Sequence, residues 1–200
     1  MHEPFFERPE EMDVHTAILT RSSVRDYLSK SVTRDQIDRI INAAIHAPTA
    51  ANRQGWHFTV ISDRSLLDKI SNEAKSFMTR ERPVDLPVIL YDKLASTDFN
   101  IFYHAPLLIV VSGERDKPWI AEECALAAQN MMLWAHAAGL GSCWIGLGQP
   151  YLATQAGKDL LGLSPLLYPF GPIVFGYPKK ASVETMRIKA KTNFISKSQM

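Results

Sequence analysis

Residues 106–112 read Pro-Leu-Leu-Ile-Val-Val-Ser, an unbroken apolar run of strand length. A strand with one wet face alternates apolar and polar positions, so a run without polar positions belongs to a strand covered on both faces. This feature asks for helices above and below a central sheet, and it places the chain in the α/β or α+β class. Helical patterns supply the cover. Over residues 33–47, Thr33 and Gln36 form a capping box, Ile37, Ile40, Ile41, Ala44 and Ile45 share a face, and Pro48 ends the run. Residues 14–20, with Asp13 as cap, predict a short helix, and residues 66–78 an amphipathic one with Leu66, Leu67, Ile70, Ala74 and Phe77 inward. A long helix is expected from Pro118 to Gly139, with Ala121, Cys124, Ala125, Ala128, Met131, Met132, Ala135 and Ala138 on its small face. Small residues allow close helix approach, which makes this helix central or part of an interface. Strands are expected at 56–62, 142–145 and 173–177, and a further helix from about Pro150 or Tyr151. Residues 79–103 carry Pro83 and Pro87 without a clear period, and read as a long loop or short insertion.

Charge and composition exclude several functions. Lys plus Arg number 22 and Asp plus Glu 21, so no net field draws nucleic acid or a membrane surface. No apolar stretch approaches bilayer length, and the start, with Glu3, Glu7, Glu10, Glu11 and Asp13, lacks a signal peptide's apolar run. Cys124 and Cys143 match no zinc or CxxC spacing and read as buried thiols of a reducing compartment, the cytoplasm. The six histidines show no HExxH or paired ligand spacing, so no metal site is expected. The glycines at 139, 141, 146 and 148 do not make a dinucleotide loop, because Trp144 occupies the third position and the segment leaves a helix to begin a strand. No P-loop or nucleophile elbow is present either. With no self-contained catalytic constellation, an enzymatic role calls for a bound group that carries the chemistry.

Three segments can hold such a group. Arg21, Ser22, Ser23 and Arg25 place two guanidiniums and two hydroxyls within five residues, suited to a phosphate or to a solvated polar turn. Residues 48–56, Pro-Thr-Ala-Ala-Asn-Arg-Gln-Gly-Trp, offer Thr49, Asn52 and Gln54 to a heterocycle edge, or serve as turn chemistry. Residues 139–148 have the backbone freedom to lie against a flat ring with N–H groups toward its heteroatoms, or to pack a helix on a strand. The C-terminal region is basic, with Lys179, Lys180, Arg187, Lys189, Lys191 and Lys197 against Glu184 alone. It reads as a solvated end or as a segment folded back onto an anion.

Taken in order, these segments resemble the FMN-dependent nitroreductase family. The similarity runs through RSSVR at 21–25, PTAANRQGW at 48–56, HAPLLIVV at 104–111, AAQNMMLWAHAAGLGSCWIG at 127–146 and FGYPKK at 175–180. It implies one nitroreductase-like α+β domain over residues 1–200, with a mostly antiparallel central sheet flanked by helices, in an entwined homodimer with FMN at the subunit interface. It also implies that Arg21, Ser22, Ser23 and Arg25 hold the ribityl phosphate and pyrimidine side of FMN. Pro48, Thr49, Ala50 and Asn52 would reach the flavin from the partner subunit, with Gln54 bracing them. Trp144, Ile145, Gly146 and Leu147 would lie against the isoalloxazine, the Gly146 N–H meeting N5 or O4. Lys189 and Lys191 would close on the phosphate, with Arg187 as the register-shifted alternative. Relatives often have Pro at position 55 and Gly at 147, where this chain has Gly55 and Leu147. The implied reaction is ping-pong hydride transfer from NADH or NADPH through flavin N5 to a nitroaromatic, quinone or similar small acceptor, with no catalytic side chain. A dehalogenase, a flavin-modifying enzyme or a flavin-binding protein without nicotinamide turnover are the alternatives.

Overall fold

The computed structural model describes residues 12–82, 84, 86–180 and 185–195. Glu3, Glu7, Glu10 and Glu11 of the acidic start, Pro83, Glu184 and Lys197 lie outside the described residues. Four strands form one sheet, β1 (Trp56–Ile61), β2 (Leu107–Glu114), β3 (Gly141–Trp144) and β4 (Leu167–Gly176), in the order β1-β2-β4-β3 with every pair antiparallel. The helices are α1 (Val14–Thr20), α2 (Arg34–Ile45), α3 (Arg64–Glu81), α4 (Val88–Ala95), α5 (Ile120–Ala137), α6 (Gln149–Leu152) and α7 (Gln155–Leu161).

The apolar run is the second strand from one edge, and its two faces feed two separate cores. Leu107, Ile109 and Val111 point to a cluster shared with Ile40 and Ala44 of α2 and Cys124, Ala128 and Met131 of α5. Leu108 and Val110 point to the opposite cluster, with Leu67, Ile70 and Met78 of α3, Leu94 of α4 and Leu152 of α6. Leu107 to Val111 are all fully buried. At about 1.5–3 kcal/mol per buried aliphatic side chain, this strand is the main apolar anchor between the layers.

The caps formed as expected at two helices. Asp13 accepts from the Thr16 N–H at 3.0 Å, and Thr33 and Gln36 close the capping box ahead of α2. Four local expectations are corrected. Residues 79–103 contain α4, whose apolar residues encircle the helix and leave no single stripe: Leu94 is buried while Val88 and Ile89 are exposed. Helix α5 begins at Ile120 rather than Pro118, because Trp119 is its N-cap in a left-handed conformation at φ 63°. The buried stripe of α5 is Ile120, Glu123, Cys124, Ala127, Ala128, Met131, Met132 and Ala135, which leaves Ala121, Ala125 and Ala138 exposed. Strand β4 begins six residues before the expected start at 173, although Pro169, Gly171 and Pro172 read as breakers. An irregularity between Val111 and Ser112 admits the prolines, and Pro172 contributes its carbonyl to the Ile145 N–H at 2.8 Å.

Candidate functional site

The 21–25 segment runs alongside edge strand β3. Ser23 bridges Ser142 in parallel, and the Val24 N–H donates to the Ser142 carbonyl at 3.0 Å. This close approach depends on Gly141, where a Cβ would come within 2.7 Å of the Val24 side chain. Tyr27 fastens the far end: its hydroxyl donates to the Val24 carbonyl at 2.7 Å, and the Leu28 N–H donates to Tyr177 O at 2.8 Å. Val24 turns inward against the second core, while Ser23 and Arg25 are exposed and Arg21 and Ser22 are half-buried. Among the described residues, neither Arg21 nor Arg25 is paired with a carboxylate.

The electrostatics of this edge follow from its cations. Burial, and then the neighbouring Arg21 charge, hold His136 below its ordinary range, and its Nε2 lies 2.8 Å from Thr20 Oγ1. Burial raises the Cys143 thiol, against the opposing pull of Arg25, a hydrogen bond from Ser23, and Arg21. Burial also raises the Tyr27 and Tyr103 hydroxyls, with Arg25 opposing in both cases. Cys124, on α5, is pushed up to about 12 by burial and the adjacent Glu123.

Past β3 the chain reaches Gly146, which is exposed. Its carbonyl accepts from the Gln149 N–H at 3.3 Å, and the Ile145 carbonyl accepts from Gly148 at 3.1 Å. The N–H groups of Gly146 and Leu147 donate to no acceptor among the described residues. A Cβ built on Gly146 would meet nothing within 4 Å, and its φ is not in the left-handed region. Neither backbone torsion nor packing within this chain therefore requires glycine there. Ile145 is committed to one core, and Trp144 packs half-buried against the other. The Trp144 ring packs over Gly171, and Ile145 is 3% exposed. The Ile145 N–H and carbonyl are already taken by Pro172 and Gly148, while part of the Trp144 ring stays accessible.

Loop 48–54 lies before β1, at the opposite edge of the sheet. Three strand spacings, about 14 Å in all, separate the axes of β1 and β3. The loop is internally built. Gln54 donates from Nε2 to Asn52 Oδ1 at 2.9 Å and from its backbone to Thr49 Oγ1 at 3.2 Å. Ala51, Asn52 and Gln54 have φ of 50°, 54° and 51°. Glu123 of α5 reaches under the loop, and the sequence reading missed it. Its Oε1 accepts from the Ala50 N–H at 2.9 Å and from Arg53 Nη2 at 3.2 Å. The signal was present as two successive acids in the first turn of a helix, which read equally well as complement to its dipole.

One chain thus brings residues 21–25 against residues 141–143 of the strand that leads into residues 144–147, and keeps Pro48, Thr49, Ala50, Asn52 and Gln54 at the other edge. Lys189 and Lys191 are exposed in a segment without regular structure, and neither is joined to the 21–25 cluster. Apolar side chains stand exposed outside the sheet layers. Val14, Ile18 and Leu19 do so on α1, Leu126 on α5, and Met186, Ile188, Phe194 and Ile195 in the C-terminal segment. No helix is long and apolar enough to cross a membrane among the described residues.

The comparisons with known proteins agree with this architecture. Residues 18–177 match the Nitroreductase family. A Methanothermobacter thermautotrophicus protein, provisionally named an NADH dehydrogenase/NAD(P)H nitroreductase, is 30% identical over 168 residues, covering 84% of this chain and 78% of that protein. The crystal structure of a Bacteroides fragilis nitroreductase with bound FMN superposes with a TM-score of 0.81 at 28% identity, covering 93% of this chain and 100% of that one. An iodotyrosine deiodinase structure bound to FMN and 3-iodo-L-tyrosine shares the fold at 20% identity, with a TM-score of 0.74 and coverage of 92% and 100%. With the family match spanning most of the chain and the same fold throughout, the chain belongs to the nitroreductase family.

Proposed function

We propose that this chain is a single-domain FMN-dependent NAD(P)H oxidoreductase that works as a homodimer. When bound, FMN supplies two-electron chemistry: NADH or NADPH is oxidised, and a small electron-poor acceptor takes up the hydride with a proton from solvent. The observation that carries this reading is the pair of open N–H groups at Gly146 and Leu147, with open space at Gly146, just past the strand that the arginine cluster straps. The donor set fits the group. Arg21, Ser22, Ser23 and Arg25 offer cations and hydroxyls to the phosphate and the pyrimidine edge. Gly146 and Leu147 offer N–H groups to the ring heteroatoms, and cationic charge at that edge favours an anionic reduced ring. Lys189 and Lys191 would close on the phosphate once the C-terminal segment folds back over it.

The second copy completes the site with Pro48, Thr49, Ala50 and Asn52, because one chain holds these across the sheet from its own arginine cluster. The exposed apolar residues of α1, α5 and the C-terminal segment support such a dimer, since large exposed apolar patches mark protein interfaces. The two buried free thiols fit the reducing cytoplasm.

The test is an anaerobic titration of the purified protein. The expected result is a yellow protein that bleaches with NADH or NADPH and recolours with a nitroaromatic or quinone. Protein that takes up no added FMN overturns the reading. Flavin that neither nicotinamide bleaches identifies a binding protein, and turnover confined to halogenated aromatics identifies a dehalogenase.

A further inference from the structure

Glu123 is an ionisable residue in a place where the core has no use for one. Its side chain is 4% exposed, in the same buried stripe as Ile120, Cys124 and Ala127. A carboxylate there carries a large desolvation cost unless hydrogen bonds offset it. Complementing the helix dipole does not require the burial, because the exposed neighbour Glu122 already lies in the same turn. Among the described residues, every hydrogen bond the carboxylate makes goes to loop 48–54: Oε1 receives the Ala50 N–H and the Arg53 guanidinium, while Oε2 is buried without a partner there.

Arg53 extends the clamp. It donates from Nη2 to the Pro118 carbonyl and from Nε to the Ala50 carbonyl at 3.3 Å. Between the clamped residues the loop holds Ala51 and Asn52 in successive left-handed conformations, followed by Gln54. Non-glycine residues in that region are strained and persist only where surrounding contacts hold them.

We propose that Glu123 is a positioning residue: it holds loop 48–54 in the strained form that presents Pro48, Thr49, Ala50 and Asn52 to the flavin of the second copy. This inference rests on the flavin reading above. It assigns to α5 a task beyond packing, because the helix at the centre of one core also sets the loop that completes the site.

The test compares wild type with Glu123→Leu and Glu123→Gln by amide hydrogen exchange of the apoprotein, FMN titration, and visible circular dichroism at saturating FMN. Leucine removes both loop contacts. Glutamine keeps an acceptor for the Ala50 N–H and loses only the charge facing Arg53. The expected result in Glu123→Leu is faster exchange at Ala50 and through residues 52–54, an FMN Kd weaker by about tenfold, the scale of one charged hydrogen bond, and an altered flavin dichroism band. Glu123→Gln is expected to fall between leucine and wild type on all three readouts.

Wild-type exchange across the loop in Glu123→Leu overturns the proposal. So does faster exchange with unchanged FMN affinity and dichroism, because the clamp then serves stability alone. If Glu123→Leu does not fold, Glu123→Gln and Arg53→Met carry the same readouts, and wild-type values in both overturn the proposal. A wild-type protein that takes up no FMN overturns the flavin reading instead. The exchange data, collected without flavin, keep that failure separate from a failure of the clamp.

Discussion

The two edges of the sheet handle polar groups in opposite ways. At the β3 edge, the 21–25 strap leaves its guanidiniums without a carboxylate and residues 146–147 leave N–H groups open, while the backbone beneath the strap is firmly paired. At the β1 edge, loop 48–54 satisfies its own polar groups and draws on a buried carboxylate to do so. The first arrangement suits recognition, because donors without a carboxylate partner, carried on a paired backbone, lose little on meeting an anion. The second suits presentation, because a loop in an unfavourable conformation must be held before anything binds. A single chain keeps these halves apart, and this separation makes the second copy part of the functional proposal.

The sharpest challenge to the comparison goes through the frame that both edges share. Leu108→Ala, in the fully buried strand between the layers, is expected to cost about 2–5 kcal/mol of stability. Urea unfolding followed by far-ultraviolet dichroism and by flavin release should then show one common midpoint. Separated midpoints would mean that the edges unfold independently.

Arg21→Ala tests the open edge alone. FMN binding is expected to weaken by about 1.5–3 kcal/mol, the worth of a charged hydrogen bond, with little change in apoprotein stability. Flavin fluorescence titration measures it, and an unaltered Kd would remove Arg21 from the site.

Gly146→Ala separates folding from binding at one atom. The added Cβ meets no protein atom within 4 Å, so the apoprotein should unfold within about 0.5 kcal/mol of wild type. FMN affinity is nevertheless expected to drop by about tenfold, or ~1.4 kcal/mol, because the methyl occupies space needed by the ring. Equal affinity would show that the open space serves something else.

The smallest expected effect concerns His136. Burial and Arg21 hold it below its ordinary value of 6.5, so the unfolded chain takes up the proton first as the pH falls. Its contribution to stability is therefore present above about pH 6.5 and is lost progressively below that value. His136→Asn should flatten this part of the stability profile between pH 7.5 and 5.5 in urea titrations. An unchanged slope would place the pH dependence elsewhere.

Much of this was readable along the chain because its causes are local. The apolar run demanded two covering layers, Thr33 and Gln36 announced the start of α2, and Pro48 its end. The 21–25 and 139–148 segments stood out through donor density and glycine content. Other features could not be read locally. Helix α4 carries apolar residues around its circumference, with Leu94 buried and Val88 and Ile89 exposed, so no single stripe announces it. The first half of β4 hides behind Pro169, Gly171 and Pro172, which are acceptable only because the neighbouring pairing shifts at Val111 and Ser112.

The sequence by itself determined the layered class, the principal caps and the residue types available to a phosphate and a flat ring, since each depends on spacing and chemistry within a few residues. The tertiary structure decided which of those residues meet. It set the arginine cluster against β3, the strand that leads to Gly146, held loop 48–54 at the far edge, and turned Glu123 from an acid near a helix start into the buried clamp of a strained loop. Those contacts join positions about 70 to 120 residues apart, and pairing across such distances is a property of how the layers pack, which no local pattern encodes.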